Sequence, residues 1–250
     1  MASAAVFGAT GAIGRDLVAA ASKPDSGFRK LTLVTRRPWD GEGAAAQKDD
    51  AADSASTTTS STTTTTTTAA SSTEAGASNG AAPGVVVENV VVNPMDVAST
   101  RALTERLRGH DVVFCCLGTT RKDAGSAEAF RLVDLHIVLA AAEAAKEADV
   151  PHFSVVSAVN AKSSSWFLYP KTKGIMEDGV KALAFPYTTI ARPGLLKRPN
   201  PRFVEKVGLM CMPSIATGTV AQAMLADALH YRAGKTSEDV HVMYDKDMKA

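Results

Sequence analysis

Residues 4–14 read AAVFGATGAIG, a short apolar run that breaks into glycines. Ala4 to Phe7 suit a buried strand. Gly8, Gly11 and Gly14 then recur at G-x-x-G-x-x-G spacing, with Thr10, Ala12 and Ile13 between them, just where a helix begins. A turn this tight needs backbone without Cβ. The first turn of the helix behind it presents N–H groups that lack partners of their own, a ready site for a pyrophosphate.

The rest of the chain repeats the strand-then-helix unit. KLTLVT (30–35), VVVENVVV (85–92), DVVFCCLG (111–118), HFSVVSA (152–158) and YTTIAR (187–192) are rich in Val, Ile and Phe. IGRDLVAAAS, STRALTERLRG and AFRLVDLHIVLAAAEAAKEA between them carry helical periodicity. In the last, Phe130, Val133, Ile137, Ala141, Ala144 and Ala148 fall three or four apart, an apolar stripe read as packing. The alternation predicts an α/β fold of Rossmann type over residues 1–250: one doubly wound parallel sheet with helices on both faces. Residues 41–82, centred on TTTSSTTTTTTT, offer too little apolar surface to offset the entropy of ordering them. They are expected to be a disordered insertion in that single domain.

Composition narrows the function. Of 250 residues, 45% are hydrophobic and 21% charged, for a net charge of +1 with Lys and Arg scattered. That disfavours a nucleic-acid footprint and favours a small-molecule partner. Cys115 and Cys116 are adjacent and Cys211 stands apart, which is neither a disulfide framework nor a metal knuckle, and the histidines lack ligand spacing. No metal is expected. No apolar run is long enough to span a membrane, the start shows no targeting segment, and a reducing cytoplasmic setting follows.

Two clusters carry the chemistry. An acidic residue at the end of the second strand would accept from a ribose 2′-hydroxyl; VTRRP places Arg36 and Arg37 there instead, able to clamp a 2′-phosphate. NADP(H) is therefore expected over NAD(H), against the plain reading of two solvated arginines. Asp96 either accepts from an adenine amino group or caps the helix starting near Ser99. In YPKTK (169–173), Tyr169 and Lys173 share a helix face if Pro170 opens the helix. A phenol is a poor acid at neutral pH, but an adjacent ammonium favours its anion. Ser157, at the carboxyl end of the fifth strand, would hold the substrate oxygen while Tyr169 gives the proton.

The glycine turn, Ser157 and Tyr169-x-x-x-Lys173 together resemble the short-chain dehydrogenase/reductase superfamily. CCLGTTR (115–121), FLYPKTKG (167–174) and RPGLL (192–196) resemble its atypical branch, that of the Tat-interacting oxidoreductase and fungal mitochondrially associated proteins. The resemblance implies a monomeric or loosely associating NADPH-binding protein with a small C-terminal cap on the substrate side. It further implies that Leu117 and Gly118 lie along the cofactor, that Leu196 closes over the nicotinamide end, and that Arg202 is a further cofactor contact.

Asp134 stands where the superfamily often has an asparagine in a proton relay. A carboxylate there can order a water but cannot donate as an amide does. Trp166 and Phe167 are candidates for an apolar lid or equally for plain core. Two readings stand: an NADPH-dependent reductase of a small carbonyl or dehydrogenase of the alcohol, and an NADPH-binding sensor that signals to a protein partner with little turnover. Peripheral association with an organelle is compatible with either.

Overall fold

The structure is a computed structural model describing residues 1–37, 39, 65–67, 85–93, 96–197, 214–236 and 238–249. In chain order the first half runs β1 (Ala2–Phe7), α1 (Ala12–Ala21), β2 (Phe28–Thr35), β3 (Thr65–Thr67), β4 (Val86–Val91), α2 (Val97–Arg101), α3 (Thr104–Leu107) and β5 (Val112–Cys115). Next come α4 (Arg121–Ala124), α5 (Ala127–Arg131), a π-helical turn (Leu132–Ile137), α6 (Val138–Glu147), β6 (His152–Val156), α7 (Leu168–Ala182) and β7 (Tyr187–Arg192). The chain ends with β8 (Leu195–Lys197), β9 (Ser214–Ala216), α8 (Thr217–Arg232), β10 (Val240–Tyr244) and α9 (Asp245–Met248).

One sheet holds the order β10-β7-β6-β5-β1-β2-β4-β3, parallel throughout except for β3 at the edge. All six strands expected from sequence are in it. β10 is an addition, read in the sequence as no element: VHVMY, at 240–244, mixes polar and apolar residues and pairs with β7 at the other edge. Of residues 41–82 only Thr65–Thr67 are described, running antiparallel to β4. Arg202 and Cys211 lie outside the described residues.

The two faces of the sheet bury different residues of the same strands, as a doubly covered parallel sheet requires. Ala2, Ala4 and Val6 of β1, with Phe114 of β5, pack with Leu17 of α1 and Met224 of α8. Ala5 and Phe7, with Val113, pack with Val138 of α6 and Met176 of α7. This two-sided packing holds the carboxyl ends of β1 and β5 rigidly side by side. There the strand order reverses and a crevice opens.

Three local features differ from the sequence reading. The helix carrying the stripe from Phe130 to Ala148 is interrupted by the π-helical turn, within which Asp134 is fully buried, while all of the stripe but Val133 is buried as expected. Trp166 and Phe167 are 99% and 76% exposed, so neither is core. The helix near Ser99 starts earlier, at Val97, and Asp96 caps it by accepting from the Ala98 and Ser99 amides at 3.1 Å.

Candidate active site

Phe7 pairs in register with Cys115, so the glycine turn and the segment after β5 leave the sheet together. Gly8 takes φ +77°, and a Cβ on it would stand 2.9 Å from the carbonyl carbon and oxygen of Cys116. A Cβ on Gly14 would lie 2.1 Å from the Gly8 carbonyl oxygen, so this glycine lets α1 press against the turn. The Gly11 amide donates to Gly8 O at 3.0 Å, and no side chain caps α1. The leading N–H groups of the ten-residue helix are thus left for a ligand. The cradle fits a pyrophosphate, since any side chain at Gly8 or Gly14 would fill or distort it.

A cleft of about 680 Å³ extends from this turn across the sheet's carboxyl edge. The turn contributes Gly8, Thr10, Gly11, Ala12 and Ile13, and the end of β2 contributes Arg36. Leu117 and Gly118 follow β5, Ser157 follows β6, Tyr169 and Lys173 come from α7, and Leu196 from β8. Twelve residues from six chain segments therefore meet in one crevice. Gly14 lies behind the turn, Arg37 is exposed off the cleft, and Asp96 is engaged as a helix cap; none of the three lines it.

Lys173 is the electrostatic centre. It is 3% exposed, with Nζ 2.8 Å from Oδ1 of the buried Asp134 and 3.4 Å from the Val156 carbonyl oxygen. The other Asp134 oxygen accepts from the Thr119 amide at 2.8 Å. Burial would lower the Lys173 pKa, but the Asp134 carboxylate and then the Tyr169 phenol outweigh it and leave it raised. The site thus holds a permanent ammonium beside the phenol. Tyr169 itself is 41% exposed, its ring tilted against Phe130 at 5.8 Å. Asp134 therefore does more than order a water: it is the counter-ion of Lys173.

Ser157 is 4% exposed, and its hydroxyl donates at 2.5 Å to Oε1 of Glu177, which is 1% exposed. Arg192 grips that carboxylate with Nε at 2.9 Å and Nη2 at 2.5 Å. The sequence reading missed Glu177 and Arg192. The signal was there, since Glu177 continues the four-residue spacing of Tyr169 and Lys173 on one helix face. It also missed that Val133 and Ile137, read as packing only, face the cleft. Burial pushes the Cys115 thiol up to about 12 and raises that of Cys116 as well, so neither is a nucleophile at neutral pH. Among the described residues no cluster of three His, Cys, Asp or Glu has metal-binding geometry.

Several known proteins resemble this chain. Protein HTATIP2 of Rattus norvegicus is 36% identical over 159 residues, 59% of this chain and 65% of that protein. Protein FMP52, mitochondrial, of Debaryomyces hansenii is 32% identical over 194 residues, 78% of this chain and 66% of that protein. The chain thus spans just under two thirds of the length of these curated relatives. Among solved structures, a short-chain dehydrogenase from Burkholderia cenocepacia in complex with NADP has a TM-score of 0.61 at 17% identity, covering 99% of this chain and 90% of that one. MoeE5 in complex with UDP-glucose and NAD has a TM-score of 0.62 at 16% identity, covering 97% and 75%. At such identities the structural likeness speaks for the fold, and the curated relatives bear out the resemblance carried by CCLGTTR and RPGLL. Residues 80–230 match the family described as NAD(P)H-binding, and the chain belongs to that family.

Proposed function

We propose that this chain is an NADP(H)-dependent oxidoreductase that reduces a small carbonyl, with Tyr169 as its acid/base group. The observation that carries the reading is the placement of Tyr169 and Lys173 in the cleft that the glycine turn opens. A bound nicotinamide would supply the hydride. The protein's own residues do the rest. The amides behind Gly11 hold the pyrophosphate and Arg36 reaches the 2′-phosphate, while Arg37, off the cleft, plays no part. Lys173 has three N–H donors; Asp134 and Val156 take two, and the third, with no partner among the described residues, serves a ribose hydroxyl. Tyr169 donates its proton to the carbonyl oxygen, and the ammonium of Lys173 stabilises the phenolate left behind. Leu117 and Leu196 line the walls and keep water from the ring.

A second reading, a cofactor sensor with little turnover, draws on two observations. The Lys173 charge is balanced by Asp134 before any ligand arrives, and the Ser157 proton points at Glu177 rather than into the cleft. Consumption of NADPH against a panel of small aldehydes and ketones separates the two. The reductase reading expects turnover in the wild type and its loss in Tyr169→Phe with NADPH binding retained. Silence of both proteins despite micromolar NADPH binding favours the sensor. The fungal relative is named mitochondrial, which favours association with that organelle over a free cytoplasmic protein. No helix among the described residues is long and apolar enough to cross a membrane.

A further inference from the structure

We infer that Glu177 fixes the polarity of Ser157, so that the site selects a ligand donating a hydroxyl hydrogen to Ser157 over one offering a carbonyl oxygen there. The inference rests on the cofactor and Tyr169 assignment above and names the ligand class of that same site. A serine hydroxyl has one proton to give. Here that proton is committed to Glu177 Oε1 at 2.5 Å, between two buried groups.

Glu177 cannot turn aside. Arg192 holds both of its oxygens, Lys181 Nζ stands 3.9 Å from Oε2, and Arg192 is itself anchored by donating to the Tyr244 hydroxyl at 2.7 Å. A carboxylate clamped by a guanidinium is an acceptor, so the shared proton belongs to the serine. The Ser157 backbone is fixed as well, its amide donating to Ala191 O at 2.7 Å. Toward the cleft Ser157 therefore shows only lone pairs.

An alcohol completes a one-way chain: Tyr169 O–H to the ligand oxygen, ligand O–H to Ser157, Ser157 O–H to Glu177. The ligand hydroxyl and that of Ser157 each give one hydrogen and take one. A carbonyl at the same place sets two acceptors against each other, and the contact is lost or repulsive. Glu177 is thus a positioning residue, acting through Ser157, and the alcohol side of the reaction is the one the resting site grips.

The test uses propan-2-ol and dimethyl sulfoxide, two unreactive probes of nearly equal shape, the second an acceptor only. Each is titrated into protein saturated with NADPH, read by the fluorescence of the bound cofactor. In the wild type propan-2-ol binds about tenfold more tightly, the worth of one hydrogen bond. In Glu177→Gln the amide oxygen turns to Arg192, the amide nitrogen donates to Ser157, and the order of the probes inverts. Equal or reversed affinities in the wild type, or an unchanged order in Glu177→Gln, overturn the inference. Ser157→Ala serves if Glu177→Gln does not fold: it levels the two probes, and a surviving preference for propan-2-ol again overturns the inference. A wild type that fails to bind NADPH fails the underlying cofactor reading, and shows it before either probe is added.

Discussion

Asp134 and Lys173 make a buried pair whose worth shows only when its members are removed separately and together. Their side chains are 0% and 4% exposed and their charges meet at 2.8 Å. Lys173→Met strands a carboxylate inside the fold, and Asp134→Asn strands an ammonium while keeping an acceptor for the Thr119 amide. Either change is expected to cost about 3–5 kcal/mol, because the charge left behind has lost its compensation. The double variant buries no net charge, so its cost is expected to fall short of the sum of the two single costs by roughly 3 kcal/mol. Urea unfolding gives the numbers, with midpoints shifting at constant slope if only stability changes. In a chain of this size each kcal/mol moves the melting temperature by about 2–4 °C, so the single variants should melt roughly 10 °C early. Single losses below about 1 kcal/mol, or losses that simply add in the double variant, would refute the view that this pair is dry and mutually dependent.

Gly14→Ala places a Cβ 2.1 Å from the Gly8 oxygen, so the turn must shift; about 3 kcal/mol of stability and most NADPH affinity should go with it, and a fully active variant would contradict the tight helix-on-turn packing. Arg36→Ala should weaken NADPH about 10- to 100-fold and NADH little, whereas Arg37→Ala should leave both within about twofold; equal losses of NADPH and NADH in Arg36→Ala would detach it from the 2′-phosphate. His152 is buried, its Nε2 2.7 Å from Thr189 Oγ1, and burial pushes its pKa down to about 4 despite the opposing pull of Asp227. The unfolded chain takes up that proton near pH 6.5 and the folded one resists it, so stability is full above about pH 6.5 and falls by up to roughly 3 kcal/mol as the pH drops toward 4. His152→Phe should flatten this slope in unfolding titrations, and an unaltered slope would assign the acid sensitivity elsewhere.

The framework of the sheet was legible because its signals are local. Six apolar runs, three of them followed by helical periodicity, need no knowledge of distant partners, and AAVFGATGAIG announces both the strand and the turn. β10 escaped because VHVMY is an edge strand, buried mainly through Met243, and an edge strand needs no continuous apolar run. In the site, what depends on spacing along one helix was visible: Tyr169 and Lys173. What depends on which charges meet across the fold was not. Asp134 becomes the partner of Lys173 only through a π-helical turn, and one extra residue in a helix leaves no mark in the hydrophobic pattern. Glu177 meets Ser157 and Arg192 because β6, β7 and α7 converge, a fact of topology rather than of sequence distance. The same holds for Asp96, whose two readings sequence left level and whose carboxylate the structure finds capping α2.

The central claim is that the cleft between the Gly8 turn and the Tyr169–Lys173 face receives a phosphorylated dinucleotide. A crystal structure of the protein grown with NADPH tests it most directly. The pyrophosphate should lie over the amides of Gly11 to Ile13, the 2′-phosphate within hydrogen-bond reach of Arg36, and the nicotinamide beside Tyr169 and Lys173. An empty cleft at saturating NADPH, or a nucleotide bound on another face, would contradict it.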